Sequence, residues 1–153
     1  MSPEQTLPRF DLPTSGDGHL SNADLIGRHT VLYFYPKDDT PGCTLEGNEF
    51  TALYPKFQEL QVSVFGVSPD SALSHVKFIQ KCSLGIPLVS DPDHVLIGAL
   101  GLWVEKKYMG RTYKGVQRST FLIGPDGTIV KEWRSVKAPG HAAEVLEAVA
   151  GAA

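Results

Sequence analysis

Residues 30–43 of the chain have the sequence TVLYFYPKDDTPGC. The run from Val31 to Tyr35 is apolar and aromatic, which predicts a buried strand over residues 31–35. Thr40 and Pro41 follow after a polar loop. This pair is typical of a helix start, with threonine as N-cap and proline as the first helical residue. A buried strand that leads directly into a helix indicates an α/β protein.

The helix start places Cys43 at the third helical position, inside the first turn. Backbone N–H groups there have no helical partner and the helix dipole favours negative charge, so a cysteine at this position is stabilised as a thiolate. The alternative is an inert core cysteine, because cysteine is one of the most frequently buried residues. The polar loop before Cys43 and the neighbouring Gly42 favour the reactive interpretation.

The composition is that of an ordinary globular protein of 153 residues, with 42% hydrophobic and 20% charged residues. We therefore expect a single domain over residues 1–153. The net charge is −3 and the longest basic run is Lys106-Lys107, which argues against nucleic acid as a partner. No apolar stretch is long enough for a membrane partner, and residues 1–5 lack a signal-peptide pattern. Since the chain has two cysteines, we expect a reducing compartment and a cytoplasmic protein.

Hydrophobic periodicity predicts the remaining elements. A helix covers residues 41–60, although Pro55 should kink or divide it. The next helix covers residues 71–82, with an apolar side formed by Leu73, Val76 and Ile79. The order of elements predicts a thioredoxin-like fold, a central mixed sheet with helices on both faces and an N-terminal extension. The other predicted elements are strands over residues 62–67, 119–123 and 128–133, an extended segment over 86–89, a short helix over 92–100, a loop or hairpin over 101–115 and a closing helix over 139–150.

A thioredoxin-like redox protein carries Cys-x-x-Cys where the strand meets the helix, whereas this chain has Thr40 at the first position. A lone nucleophile suits attack on a peroxide better than disulfide exchange. The spacing of Pro36, Thr40 and Cys43 resembles the active-site signature of the peroxiredoxins, peroxidases that use a cysteine nucleophile. The string YPKDDTPGCT at residues 35–44 is similar to the subfamily called bacterioferritin comigratory protein or peroxiredoxin Q. A second block resembles the same subfamily through EKKY at 105–108, QRSTF at 117–121 and GPDG at 124–127.

The resemblance implies a thiol peroxidase that reduces hydrogen peroxide and organic hydroperoxides without a metal or an organic cofactor. It implies that Cys43 is the peroxidatic cysteine, that Thr40 and Arg118 complete the site, and that Pro36 shields the site from water. Glu46 matches a family carboxylate that orients this arginine. Without the resemblance, Arg118 would be interpreted as a surface strand residue. Because thiolate fraction alone cannot explain a fast peroxidase, donors must also stabilise charge on the leaving oxygen.

The first product implied by the resemblance is a sulfenic acid on Cys43, which a thiol must then resolve. The commonest subfamily pattern has a second cysteine five residues after the first, where this chain has Asn48. The other thiol is Cys82, and some subfamily members carry the resolving cysteine in that helix. The resemblance therefore favours an intramolecular disulfide between Cys43 and Cys82, reduced by thioredoxin or a similar dithiol. We expect the thiols to start beyond disulfide range, so the first turn at Cys43 should unwind during the cycle.

Three alternatives stay open at this point. Cys82 extends the apolar side of its helix and is then a core residue, which leaves a peroxidase with one working cysteine. In the second alternative the chain is a thiol–disulfide oxidoreductase, and in the third it is a non-enzymatic redox-sensing or chaperone-like module. For the oligomeric state, the subfamily resemblance implies a monomer.

The remaining polar residues carry weaker signals. Asp38 and Asp39 are adjacent loop acids, which are usually solvated, and we predict that neither is catalytic. The histidines show no metal-ligand spacing, and we interpret all five as surface residues or hydrogen-bonded core residues. They are His19, His29, His75, His94 and His141.

Overall fold

A computed structural model of the chain describes residues 6–16 and 18–152. Residues 1–5, over which we found no signal-peptide pattern, lie outside the described residues. None of the helices in the described part combines the length and the apolar run that a membrane crossing requires. The helices are α1 (Pro41–Glu59), α2 (Ala72–Cys82), α3 (Val95–Ala99) and α4 (His141–Ala152). The strands are β1 (Asp11–Pro13), β2 (His19–Ser21), β3 (Thr30–Phe34), β4 (Ser63–Ser68), β5 (Leu88–Ser90), β6 (Trp103–Tyr108), β7 (Arg111–Val116), β8 (Ser119–Ile123) and β9 (Ile129–Trp133).

Five strands form the central sheet, in the order β5-β4-β3-β8-β9. β3 pairs in parallel with β4 and antiparallel with β8, so the sheet is mixed. The parallel neighbours β3 and β4 are joined by α1, because a parallel pair needs a long crossover connection. The turn at residues 124–127 joins β8 to β9 as predicted, and Gly127 occupies the left-handed region there at φ +86°.

The two faces of the sheet bury separate hydrophobic clusters, because side chains alternate along each strand. Leu32 and Phe34 of β3 belong to the first cluster, with α3 and the N-terminal extension. Val31 and Tyr33 belong to the second cluster, with α1, α2 and α4. Helices therefore cover both faces, and the predicted thioredoxin-like class is confirmed.

α1 continues through Pro55 as one helix, so of the two predicted outcomes, a kink or a division, the division is wrong. A proline inside a helix costs about 3 kcal/mol or more, because it lacks an N–H and crowds the preceding turn. Phe50 and Phe57, on either side of the proline, are both fully buried in the second cluster. Burial of one such ring contributes about 1.5–3 kcal/mol. Their packing holds both halves of α1 against the sheet and offsets the cost of the proline.

α2 packs through a face that only partly overlaps the predicted one, since Ile79 packs against the second cluster as predicted. Leu73 is 65% exposed, whereas His75 and Phe78 are buried and Cys82 packs against the second cluster. The predicted apolar side is therefore wrong at Leu73. The reason is that the ring of His75 finds hydrogen-bond partners in the interior, which lets a polar residue take the buried position.

Two short hairpins lie outside the central sheet. β6 and β7 pair with each other, which confirms the hairpin considered for residues 101–115. β1 and β2 pair within the N-terminal extension, and Thr14 forms a bridge to Val89 of β5. The extension thus adds to the covering of the first cluster.

Candidate active site

Cys43 lies in the first turn of α1, at the third helical position after the N-cap Thr40. The helix begins at Pro41, as the sequence predicts, and the first helical hydrogen bond runs from Thr44 N–H to the Thr40 carbonyl at 2.8 Å. The N–H groups of Gly42 and Cys43 therefore point out of the helix end without a helical acceptor. Cys43 is only 2% exposed, so the partners of its thiol are protein groups.

The Thr40 side chain does not act as the predicted cap. Its hydroxyl donates a hydrogen bond to the Lys37 carbonyl at 2.9 Å, and the cap expected at the helix N-terminus is wrong for the side chain. The loop of residues 37–40 turns tightly at this point, which brings that carbonyl within reach of the hydroxyl. Because the hydroxyl proton is committed, the Thr40 oxygen retains acceptor capacity.

The register of β3 and β8 brings Arg118 to the site. Phe34, the last residue of β3, is paired with Ser119, the first residue of β8. Arg118 precedes Ser119, so it emerges at the same edge of the sheet as the loop that leads to Cys43. Its side chain is 16% exposed, which excludes the interpretation as a surface strand residue.

The Arg118 guanidinium bridges two groups of α1. Nη2 donates to Cys43 Sγ at 3.3 Å, and Nη1 donates to Glu46 Oε1 at 2.6 Å. Gly42 favours this approach, because a Cβ at position 42 would lie 3.1 Å from Nη2 and would displace the guanidinium by a few tenths of an ångström. Burial lowers the pKa of Arg118, but the charges of Glu46 and Cys43 outweigh it, and the net direction is upward. The arginine therefore stays cationic beside the sulfur.

Glu46 is fully buried, and its Oε2 atom has no hydrogen-bond partner among the described residues. Burial raises the pKa of Glu46 to about 7, although the Arg118 guanidinium opposes the change. Burial also raises the pKa of Tyr33, with the charges of Glu46 and Cys43 as further causes. The Arg118 guanidinium thus faces both the Cys43 sulfur and the Glu46 carboxyl group.

The raised pKa of Glu46 predicts a pH-dependent stability. Between about pH 4.5 and about pH 7 the unfolded chain releases this proton and the folded protein keeps it, so the free energy of unfolding falls as the pH rises. Glu46→Gln cannot titrate. Relative to the parent, we expect the variant to gain about 3 kcal/mol in unfolding free energy between pH 4.5 and pH 8. Urea unfolding of both proteins at the two pH values measures this, and a difference that does not change with pH would contradict the assignment.

A cleft of about 340 Å³ leads to Arg118 from the outside. Pro36, from the loop after β3, and Lys106, from the β6–β7 hairpin, line this cleft. Val104 and Val136 form an apolar part of its wall. Burial lowers the pKa of Lys106, and the nearby charge of Arg118 lowers it further. The cleft can admit a small molecule with an apolar part, and the shielding role of Pro36 stays a prediction.

Cys82 is the last residue of α2 and is half-buried. It packs against the second cluster, which also contains Cys43. Both cysteines are free thiols in the structure. Asn48, at the position of the commoner second cysteine, is exposed on α1. The structure therefore places the two thiols on different helices that share one hydrophobic cluster.

A buried Asp38–His75 pair was missed by the sequence analysis. Asp38 is 7% exposed, so the prediction of a solvated acid is wrong for this residue. His75 Nδ1 lies 2.8 Å from Asp38 Oδ2, and the Tyr35 hydroxyl donates to Oδ1 at 2.6 Å. The Ser74 hydroxyl donates to Oδ2 at 2.8 Å. One signal was available: positions 75, 78 and 82 lie on one helix face, so a buried Phe78 and a packed Cys82 imply a buried histidine.

The other polar predictions hold in part. Asp39 is exposed and forms an ion pair with Lys81 at 2.7 Å. His141 is buried, with Thr120 Oγ1 at 2.7 Å from its Nε2, and burial lowers the pKa of His141. Of the five histidines, the two buried ones, His75 and His141, are therefore hydrogen-bonded, as expected.

Comparisons with known proteins identify the family and the relatives of this chain. Residues 3–132 match the model of the AhpC/TSA family. The peroxiredoxin Bcp of Xanthomonas campestris pv. campestris is 46% identical over 142 residues, 92% of this chain and 89% of that protein. The peroxiredoxin Bcp of Bacillus subtilis is 43% identical over 143 residues, 94% of this chain and 91% of that protein. A solved structure of Xanthomonas campestris bacterioferritin comigratory protein, from work on alkyl peroxide reduction activity, has a TM-score of 0.89 at 40% identity and covers 97% of this chain and 98% of that one.

Proposed function

The chain belongs to the AhpC/TSA family, and we propose that it is a thiol peroxidase whose nucleophile is Cys43. The predicted resemblance to the bacterioferritin comigratory protein or peroxiredoxin Q subfamily is confirmed, and the chain is a peroxidase, an oxidoreductase. The observation that carries the assignment of Cys43 is the hydrogen bond from Arg118 Nη2 to Cys43 Sγ at 3.3 Å.

In the first step the Cys43 thiolate attacks the terminal oxygen of a hydroperoxide. An S–O bond forms, the O–O bond breaks, and the leaving oxygen takes a proton to become an alcohol or water. Cys43 is oxidised to a sulfenic acid and the peroxide is reduced. Arg118 supports this step, because its guanidinium faces the sulfur at which the oxygens must line up.

Each group around the Cys43 sulfur has a different role in stabilising the transition state. Arg118 and the free N–H groups of the first turn of α1 donate to the oxygens that gain negative charge. Thr40 accepts the hydrogen of the attacked hydroperoxide, since its own proton goes to the Lys37 carbonyl. Glu46 orients Arg118 through the 2.6 Å contact to Nη1. Pro36 excludes water at the mouth of the cleft.

The substrates we propose are hydrogen peroxide and organic hydroperoxides. The cleft of about 340 Å³ exceeds what hydrogen peroxide needs, and Val104 and Val136 give it apolar wall for an alkyl chain. The related Xanthomonas campestris protein has been studied for alkyl peroxide reduction activity. The proposed reaction of the Cys43 thiolate with a hydroperoxide requires no metal and no organic cofactor.

We propose that Cys82 resolves the sulfenic acid. Its sulfur attacks Cys43 Sγ, the disulfide forms, and the hydroxyl of the sulfenic acid leaves as water. A thioredoxin-like dithiol then reduces the disulfide by thiol exchange and becomes oxidised itself. We propose that the first turn of α1 unwinds before the sulfurs meet, since Cys43 and Cys82 lie on different helices and Cys43 is only 2% exposed. The cycle needs a reducing compartment, so cytoplasmic location stays our prediction, as does a monomer.

Cys82→Ser tests the resolving role. We expect the variant to consume one equivalent of peroxide and then stall with thioredoxin, because no second thiol can displace the sulfenic hydroxyl. A small thiol such as dithiothreitol should restore turnover, since it reaches the sulfenic acid directly. Peroxide consumption with each reductant measures this. Full turnover with thioredoxin would mean that Cys82 is a core residue and that the chain is a one-cysteine peroxidase.

Mass spectrometry after one equivalent of peroxide tests the function as a whole. An intramolecular Cys43–Cys82 disulfide appears as the loss of two hydrogens and as a cross-linked peptide. A persistent sulfenic acid on Cys43 would support the peroxidase and contradict the resolving role. A protein in which Cys43 stays reduced while Cys82 is oxidised would overturn the assignment of the nucleophile.

A further inference from the structure

The loop before α1 is attached to α2 by a buried polar contact. The carboxyl group of Asp38 faces the first turn of α2, with Ser74 Oγ and His75 Nδ1 each 2.8 Å from Oδ2. The side chains of His75 and Asp38 are 0% and 4% exposed. The backbone N–H of Asp38 donates to Asp70 Oδ2 at 2.8 Å, which attaches the same residue to the loop before α2.

The hydrogen-bond inventory shows that the pair holds a proton between its two members. His75 Nε2 lies 2.9 Å from the Val89 carbonyl, which only accepts, so Nε2 carries a hydrogen. Nδ1 faces a carboxyl oxygen, so that contact also needs a hydrogen, on either Nδ1 or Oδ2. In both cases the pair is neutral as a whole and fully hydrogen-bonded, and breaking it leaves a buried polar group without its partner.

The Asp38–His75 pair lies within reach of both thiols, because Asp38 is close to Cys43 in sequence and His75 lies on the same helix as Cys82. His75 and Cys82 are seven residues apart on the same face of α2, a rise of about 10 Å. Asp38 precedes Cys43 by five residues, which span at most about 17 Å when extended. A chain fixed at Asp38 and unwound at Cys43 therefore reaches the far end of α2, where Cys82 lies.

We propose that the Asp38–His75 pair is a tether that keeps the loop on α2 while the first turn of α1 unwinds, and so speeds the formation of the Cys43–Cys82 disulfide. The two residues are positioning residues, since they act through the segment that carries Cys43. A short tether raises the effective concentration of one thiol at the other. The inference rests on the proposed resolving role of Cys82.

Two substitutions of His75 separate the tether from a general structural role. The amide of glutamine reaches the place of Nε2, so His75→Gln keeps the donor to the Val89 carbonyl and loses the contact to Asp38. The amide of asparagine reaches the place of Nδ1, so His75→Asn keeps the contact to Asp38. Each variant loses one buried hydrogen bond, and the two are matched in this respect.

The experiment follows the oxidation of Cys43 and the formation of the disulfide by rapid quench and mass spectrometry. We expect His75→Gln to slow disulfide formation by about tenfold, the value of one buried hydrogen bond. Its first oxidation rate should stay within about threefold of the parent, so more Cys43 is oxidised further to sulfinic acid at high peroxide. His75→Asn should form the disulfide at a rate near that of the parent. Asp39→Asn, which breaks the exposed pair with Lys81 in the same loop, is the control and should change neither rate.

Equal effects of the two His75 variants, an unchanged disulfide rate or a faster one in His75→Gln would each overturn the tether. If His75→Gln does not fold, Asp38→Ala removes the same contact from the loop side and should show the same selective loss. If the parent itself forms no Cys43–Cys82 disulfide, the proposed resolving role fails and the tether falls with it. A normal disulfide rate in both parent and variant contradicts the tether alone.

Discussion

Replacement of Cys43 by serine should reduce peroxide consumption to the uncatalysed background, a loss of at least about 10³-fold. The serine hydroxyl stays protonated at neutral pH and is a poor nucleophile toward a peroxide oxygen, whereas the nucleophilic form of cysteine is the thiolate. The position is 2% exposed and a hydroxyl is smaller than a thiol, so serine fits without distortion. Stopped-flow measurement of peroxide loss in single-turnover conditions gives the rate.

The control for this prediction is the Cys82→Ser variant in the same assay. That variant should retain the first oxidation, because its substitution lies at the end of α2 and leaves Cys43 in place. Circular dichroism of both variants should match the parent. Retained consumption in Cys43→Ser together with its loss in Cys82→Ser would reverse the proposed roles of the two thiols.

Arg118 substitutions should have the second largest effect, a decrease of about 10²–10³-fold in the rate of Cys43 oxidation. Arg118→Lys is not conservative here, because a single ammonium group cannot reproduce the two contacts of 3.3 Å to Cys43 Sγ and 2.6 Å to Glu46 Oε1. Arg118→Met removes the charge and should lose at least as much. Competition against a reference peroxidase measures the second-order rate of each variant.

Glu46→Gln tests whether the Glu46 carboxyl group acts directly on the reaction or only by orienting Arg118. Glutamine retains an oxygen that accepts from Arg118 Nη1, so the guanidinium stays beside Cys43 and we expect a loss of less than about tenfold. A loss as large as that of Arg118→Lys would mean that the carboxyl group acts directly and not through the arginine. An Arg118→Met variant with the parent rate would remove the arginine from the mechanism.

Most of the local elements were predictable because their signals are local. Thr40 and Pro41 indicate the helix start, and the apolar run after Thr30 indicates a buried strand, since both depend on neighbouring residues only. The turn at residues 124–127 is predictable for the same reason. The face that α2 buries was mispredicted at Leu73, because the partners of His75 are distant in sequence.

The continuous helix through Pro55 was also not predictable, because it depends on contacts with residues that are distant in sequence. The local cost of a proline is a property of the chain, whereas the packing that offsets it comes from Phe50 and Phe57 against the sheet. The buried state of Asp38 likewise depends on α2, which begins more than thirty residues later. A loop acid looks solvated until the element that covers it is known.

The residues alone determine a thioredoxin-like α/β chain with a cysteine in the first turn of a helix, because periodicity and helix-start chemistry act over a few positions. They also carry the peroxiredoxin motif. Which groups face the sulfur depends on the folded sheet, since the pairing of β3 with β8 brings Arg118 across 75 residues to within 3.3 Å of Cys43 Sγ. Burial, which raises the pKa of Glu46 to about 7 and hides the Asp38–His75 pair, likewise exists only once distant segments have packed together.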